Sequence, residues 1–151
     1  MEYQAKTVAI GNDHAAIELK EAFVKEMESM GLKVIDMGCG PGEAVDYPVP
    51  AQRVGEAVVS KTADLGIVLC GSGIGISISC NKVDGVRCAL CHDHFTAKMC
   101  RLHNNANVMS IGARVTGQEV ALDCLRTFLT TPFEGGRHER RVNLIHEIEK
   151  K

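Results

Sequence analysis

The sequence has almost no net charge, −2 from 17 basic and 19 acidic side chains, and no basic stripe runs along it. That excludes a general nucleic-acid or membrane-surface binder, which meets an extended array of phosphates with an extended array of cations. No apolar stretch approaches the ~20 residues that a bilayer-spanning helix needs. The opening Met1-Glu-Tyr-Gln-Ala-Lys6 has an acidic second residue and no hydrophobic run, so no secretory signal is expected. Seven cysteines are an odd number, and they lack zinc-ribbon spacing. The one Cys-x-x-Cys pair, Cys88-Ala-Leu-Cys91, lies inside an apolar run. Reduced thiols, mostly acting as small core residues, and a cytoplasmic location are the expectation. Proline is scarce at four and glycine numbers 15, which points to neither disorder nor a fibrous repeat.

What is present is a globular composition, 45% hydrophobic over 151 residues. That length fits one domain, residues 1–151. Apolar periodicity alternates between two kinds of segment. Strands are expected at Thr7–Gly11, Leu32–Met37, Leu65–Cys70, Val86–Leu90 and Val108–Ile111, each short and rich in β-branched or aliphatic residues. Helices are expected from Ala16 to a stop at Gly31, over Val49–Ser60, from the end of the glycine loop 71–75 to about Asn81, and over Asp93–His103, Gly117–Thr130 and 138–150. Strict strand–helix alternation implies a parallel sheet covered by helices on both faces. Ligands in such sheets bind beyond the carboxyl ends of the strands.

Chemistry-bearing residues follow each strand. They are Asp13-His14, Asp46-Tyr47, Cys70-Gly-Ser-Gly-Ile-Gly75, Cys91-His-Asp-His94 and Gly112-Ala-Arg114. Singly, each has a structural reading: Asp13 as a helix cap, Tyr47-Pro48 as a helix start, Cys70 as a core thiol. Together on one rim they read as a site. The 71–75 loop matches neither a dinucleotide fingerprint nor a P-loop, and no arginine closes it as a thiol phosphatase would require. Its glycines free backbone N–H groups for an anion, and a thiolate at the start of the next helix is stabilised. A base beside an anion hole suits proton abstraction next to a carbonyl. Arg137 and Arg141, four apart, share a helical face and suit a phosphate, against the reading of a solvated turn. His103 lies at a helix end and is expected near the same rim. His92 and His94 form a loose pair with no third ligand at a recognisable spacing, so no metal is expected.

These stretches, with Val45-Asp-Tyr-Pro48, Arg101-Leu-His-Asn104, Asn107-Val108 and Gly135-Gly-Arg-His-Glu-Arg-Arg141, resemble the ribose-5-phosphate isomerase B family, in order and over nearly the whole chain. The resemblance implies a three-layer α/β/α sandwich around a five-stranded parallel, Rossmann-like sheet. It implies a homodimer with sites at the interface, no metal or organic cofactor, no nucleic-acid or membrane partner, and a sugar phosphate as substrate. The implied reaction interconverts D-ribose 5-phosphate and D-ribulose 5-phosphate in the non-oxidative pentose phosphate pathway. Cys70 would move the proton between C1 and C2, and Ser72 would shuttle protons between the two oxygens. Gly71, Gly73, Ile74 and Gly75 would hold the enediolate, and His103 with Asp13 would open the ring. Tyr47 would line the pocket, and His14, Arg137 and Arg141 would hold the phosphate. Asn104 and Arg114 would reach in from the partner. With no carboxylate in residues 71–79, the chain resembles the cysteine branch of the family. A hexose-6-phosphate isomerase, or a sugar-phosphate binder without turnover, stands as the alternative.

Overall fold

The computed structural model describes residues 2–151. Five strands form one sheet: β1 (Thr7–Asn12), β2 (Lys33–Asp36), β3 (Leu65–Cys70), β4 (Cys88–Leu90) and β5 (Val108–Gly112). All pairings are parallel, and the order across the sheet is β2-β1-β3-β5-β4. Six helices accompany it: α1 (Ile17–Ser29), α2 (Pro48–Val59), α3 (Ile74–Cys80), α4 (His94–Leu102), α5 (Gln118–Thr130) and α6 (Arg137–Ile148). None is long and apolar enough to cross a membrane.

Side-chain alternation along the strands sorts the interior into two cores. Val8, Ile10, Ile67, Leu69, Met109 and Ile111 face Phe23 and Met27 of α1, Ala97 of α4, and Leu125 and Phe128 of α5. Ala9, Val68 and Cys70, one residue out of phase, face Ala51, Val54 and Val58 of α2 with Ile76 and Cys80 of α3. The period of two in a strand makes this division obligatory, and the result is the three-layer sandwich. The central strand β3 is buried at all six positions, as a parallel strand covered on both faces must be.

Element bounds shift from the sequence expectation where local hydrogen bonds win. β4 begins at Cys88 rather than Val86 because the Val86 N–H bonds back to Val83 O in a turn, and the Arg87 N–H goes to the Asn107 side chain at 2.7 Å. Met30 is the C-cap of α1, and Gly31 follows it in the left-handed conformation at φ 81°. Asp93 and His103 cap α4 rather than belonging to it, and α6 starts one residue early at Arg137.

Register decides what gathers at each edge of the sheet. Asn12 lies beside Leu69, and Cys70 beside Gly112. The loops after β1, β3 and β5 therefore leave from one carboxyl edge. A helix following a parallel strand runs back along it, so the end of α4 reaches the opposite edge. There Asn107 links to both Gly66 and Arg87 at the starts of β3 and β4.

Candidate active site

The carboxyl edge carries a thiol set in a glycine turn. Cys70 is 4% exposed and its Sγ accepts the Gly73 N–H at 3.2 Å. Gly73 has φ 79°, and a Cβ there would lie 2.8 Å from the Gly112 nitrogen, so only glycine fits this turn without strain. Ser110, buried under the loop, fixes Gly73 O through its hydroxyl at 2.7 Å. The Ala113 and Arg114 N–H groups donate to Cys70 O and Gly71 O, both at 2.9 Å, which ties the loop after β5 to the loop after β3. The Ile74 N–H donates to Ser72 Oγ at 3.2 Å. Two of the loop's N–H groups are thus engaged in the free protein, while the first turn of α3 keeps donors without helical acceptors.

Around this turn stand Tyr47, Asp13, His14 and Arg114. The Tyr47 ring lies on Gly75, where a Cβ would meet its Cζ at 2.6 Å; Pro48 follows as the first residue of α2. Arg114 Cδ and Nη1 lie 3.5 Å from where a Gly71 Cβ would be, and Ala15 is equally near at 3.6 Å. Asp13 is buried, and its Oδ1 accepts the Ala15 N–H at 2.9 Å, so it caps the short 3-10 turn His14–Ala16. His14 is exposed and lines a cleft of about 650 Å³ with Glu18, Pro41, Ala113 and Gln118.

Four expected site residues stand elsewhere. His103 and Asn104 follow α4 at the amino edge of the sheet, and Arg137 and Arg141 lie on α6 beside them. His103 stacks on His138 with ring centroids 4.1 Å apart, and Glu134 N–H donates to Leu102 O at 3.1 Å, which joins the two segments. The expectation of one shared rim is corrected here, since a returning helix cannot end at the edge it left. Arg114, expected to reach in from a partner, sits against Gly71 of its own chain.

A family model described as Ribose/Galactose Isomerase matches residues 8–145. The chain belongs to that family. It is 40% identical to ribose-5-phosphate isomerase B of Escherichia coli over 97% of this chain and 98% of that one. It is 41% identical to a D-erythrulose-4-phosphate isomerase of Pectobacterium atrosepticum over 92% of each. The solved ribose-5-phosphate isomerase B of Clostridium thermocellum superposes with a TM-score of 0.94 at 46% identity, covering 95% of this chain and 97% of that one.

This isomerase-family chain also holds side-chain contacts that no sequence pattern marks. Asn12, fully buried, donates from Nδ2 to Asp13 O and Cys39 O and accepts the Cys39 N–H at Oδ1. Buried Lys20 bonds Asp36 at 2.7 Å and Cys39 O at 3.0 Å. These contacts brace the loop after β2 against the Asp13-His14 turn. His138 is 5% exposed, and its Nε2 has no hydrogen-bond partner among the described residues. Burial, with His103 and Arg137 close by, pushes its imidazole below the ordinary histidine range. Only the four-residue spacing from Glu134 to His138 marked this pair in the sequence.

Proposed function

We propose that this protein interconverts ribose 5-phosphate and ribulose 5-phosphate through an enediolate, as a cytoplasmic homodimer whose two sites each draw residues from both chains. The carrying observation is the buried Cys70 thiol set in a glycine turn at the start of a helix, flanked by His14 and Arg114. The full-length likeness to proteins named ribose-5-phosphate isomerase B supports the pentose as substrate. Seven free cysteines support a reducing compartment, and the pathway assignment follows from the substrate.

In this reading Cys70 takes the proton from C2 of the open aldehyde, and the electron pair moves to O1. The resulting enediolate is held by the N–H groups of the 71–75 turn, which act where negative charge develops. Ser72 carries a proton from O2 to O1, and Cys70 returns its proton to C1, giving the ketose. No hydrogen leaves the substrate for a redox partner. His14 and Arg114 on one side, and Arg137 and Arg141 on the other, grip the phosphate; that remote binding energy holds C1 and C2 against the thiolate.

Length supports sharing between chains. β3 advances about 3.3 Å per residue over its six residues, so His103 and Cys70 of one chain are separated by on the order of 15–20 Å along the sheet. A pentose phosphate cannot touch both. A second copy, presenting its amino edge to the Cys70 turn, supplies His103, Asn104, Arg137 and Arg141. Exposed apolar side chains support such contact at both places. Tyr47, Val49, Ile74 and Ile78 surround the turn, and Leu144, Ile145 and Ile148 line α6.

The test is side-by-side turnover of ribose 5-phosphate, allose 6-phosphate and erythrulose 4-phosphate. The reading expects the pentose to give the highest kcat/KM. A higher value for either of the others reassigns the substrate, and binding without turnover of any of them removes the enzyme.

A further inference from the structure

We infer that His103, Glu134 and His138 form a binding site for a divalent transition-metal ion of the zinc class. Two imidazoles and one carboxylate are the donor set that zinc takes in open, three-ligand sites. One ligand atom from each of the three residues lies within 4.8 Å of the other two. They come from the end of α4, the loop before α6 and the first turn of α6, so the gathering belongs to the fold rather than to a run of sequence.

A second observation points the same way. His138 Nε2 is buried and makes no hydrogen bond among the described residues. Glu134 Oε1 stands 3.9 Å from it, too far for a hydrogen bond and near enough to share an ion. An imidazole nitrogen held without a partner has a lone pair or a proton to offer, and the Glu134 carboxylate stands beside it.

The free geometry is not yet that of a filled site. Tetrahedral ligands at roughly 2.0–2.2 Å from zinc are closer to one another than 4.8 Å. The stacked rings of His103 and His138, inclined by only 14°, cannot both aim a lone pair at one ion. His138 is fixed by burial, while the Glu134 side chain is 54% exposed and His103 is only half-buried, so those two are the ligands that swing in. Arg137 and Arg141, exposed in the single chain, oppose a cation, and Glu134 brings a compensating charge.

Occupation would tie up the nitrogen with which His103 handles the sugar's ring proton. The ion is then an inhibitor, not a cofactor. That consequence rests on the isomerase reading; the binding does not.

The experiment titrates the metal-free full chain with Zn²⁺ against a chromophoric chelator and, separately, with Co²⁺, whose visible bands report nitrogen and oxygen ligands. One ion per chain is expected. Affinity should fall at least about tenfold in Glu134→Gln and His138→Gln, in keeping with loss of one ligand, and stay unchanged in His92→Gln. Because His138 is buried, the exposed Glu134 variant carries the test if the other does not fold. Absence of saturable binding, or equal affinity in wild type and Glu134→Gln, overturns the site. Binding as expected with turnover unaffected by the ion keeps the site and instead removes His103 from the catalytic reading.

Discussion

Cys70 combines what a general base needs and what a core residue needs, and a single substitution separates the two. Its side chain is nearly buried and small, so Cys70→Ala should retain the fold. Loss of a general base lowers kcat by about 10²–10⁴-fold, and solvent deuterium should stop appearing at C2 of recovered substrate. Normal exchange in the folded variant would make the thiol structural. Gly73 tests the turn itself. Its φ of 79° and the backbone of Gly112 leave no room for a Cβ, and a left-handed residue alone costs about 1–2 kcal/mol. Gly73→Ala should therefore lower both Tm and kcat, because the Gly73 N–H no longer meets Cys70 Sγ. A variant with unchanged Tm and kcat would show that the turn tolerates rearrangement.

At the scale of elements, α6 carries the arginines, and its position rests on a few contacts. Val142 and His138 are its buried residues, and Glu149 accepts the Gly85 N–H at 2.9 Å. Arg141→Ala should raise KM by roughly 10–100-fold, as expected for about 1.5–3 kcal/mol of charge-assisted contacts, with a smaller effect on kcat. Equal KM in the variant would remove the phosphate clamp. Acid should loosen the same edge of the sheet. The Thr7 and Lys6 N–H groups, at 3.0 and 2.9 Å, hold the Asp64 carboxyl below the usual carboxylate range. A depressed carboxylate contributes stability that is present above its unfolded value, near pH 4, and lost as pH falls through its folded value. Tm should drop as pH is lowered below about 4, with a shallower slope in Asp64→Asn. An identical slope in the variant would mean that other carboxylates control acid unfolding.

The elements themselves were legible because apolar period and glycine stops mark them directly: β3 and α5 match their expected spans almost residue for residue. The rim was legible wherever a functional residue immediately follows a strand, as with Asp13, Cys70 and Arg114. It failed for His103, which follows a helix; proximity in sequence to a strand-end motif says nothing about which edge a returning helix reaches. The Asn12–Cys39 and Lys20–Asp36 contacts were illegible for another reason. They join segments 16 to 27 residues apart through side chains with no periodic signature.

At the scale of the whole molecule, one chain carries the residues of the proposed site in two groups at opposite edges of its sheet. One holds the Cys70 turn, Tyr47, His14 and Arg114, and the other holds His103, Asn104, Arg137 and Arg141. On the proposed reading, a closed pair of identical chains joined about a twofold axis would make two complete sites from these halves. The direct test mixes two single variants, Cys70→Ala and His103→Ala, each inactive as a homodimer, under conditions that exchange subunits. In a mixed dimer one site carries both substitutions and the other carries neither. Random exchange makes half the dimers mixed, so about a quarter of wild-type activity per chain should return if each site is shared between two subunits. No recovery, with subunit exchange verified by mass, would contradict a site built from two chains.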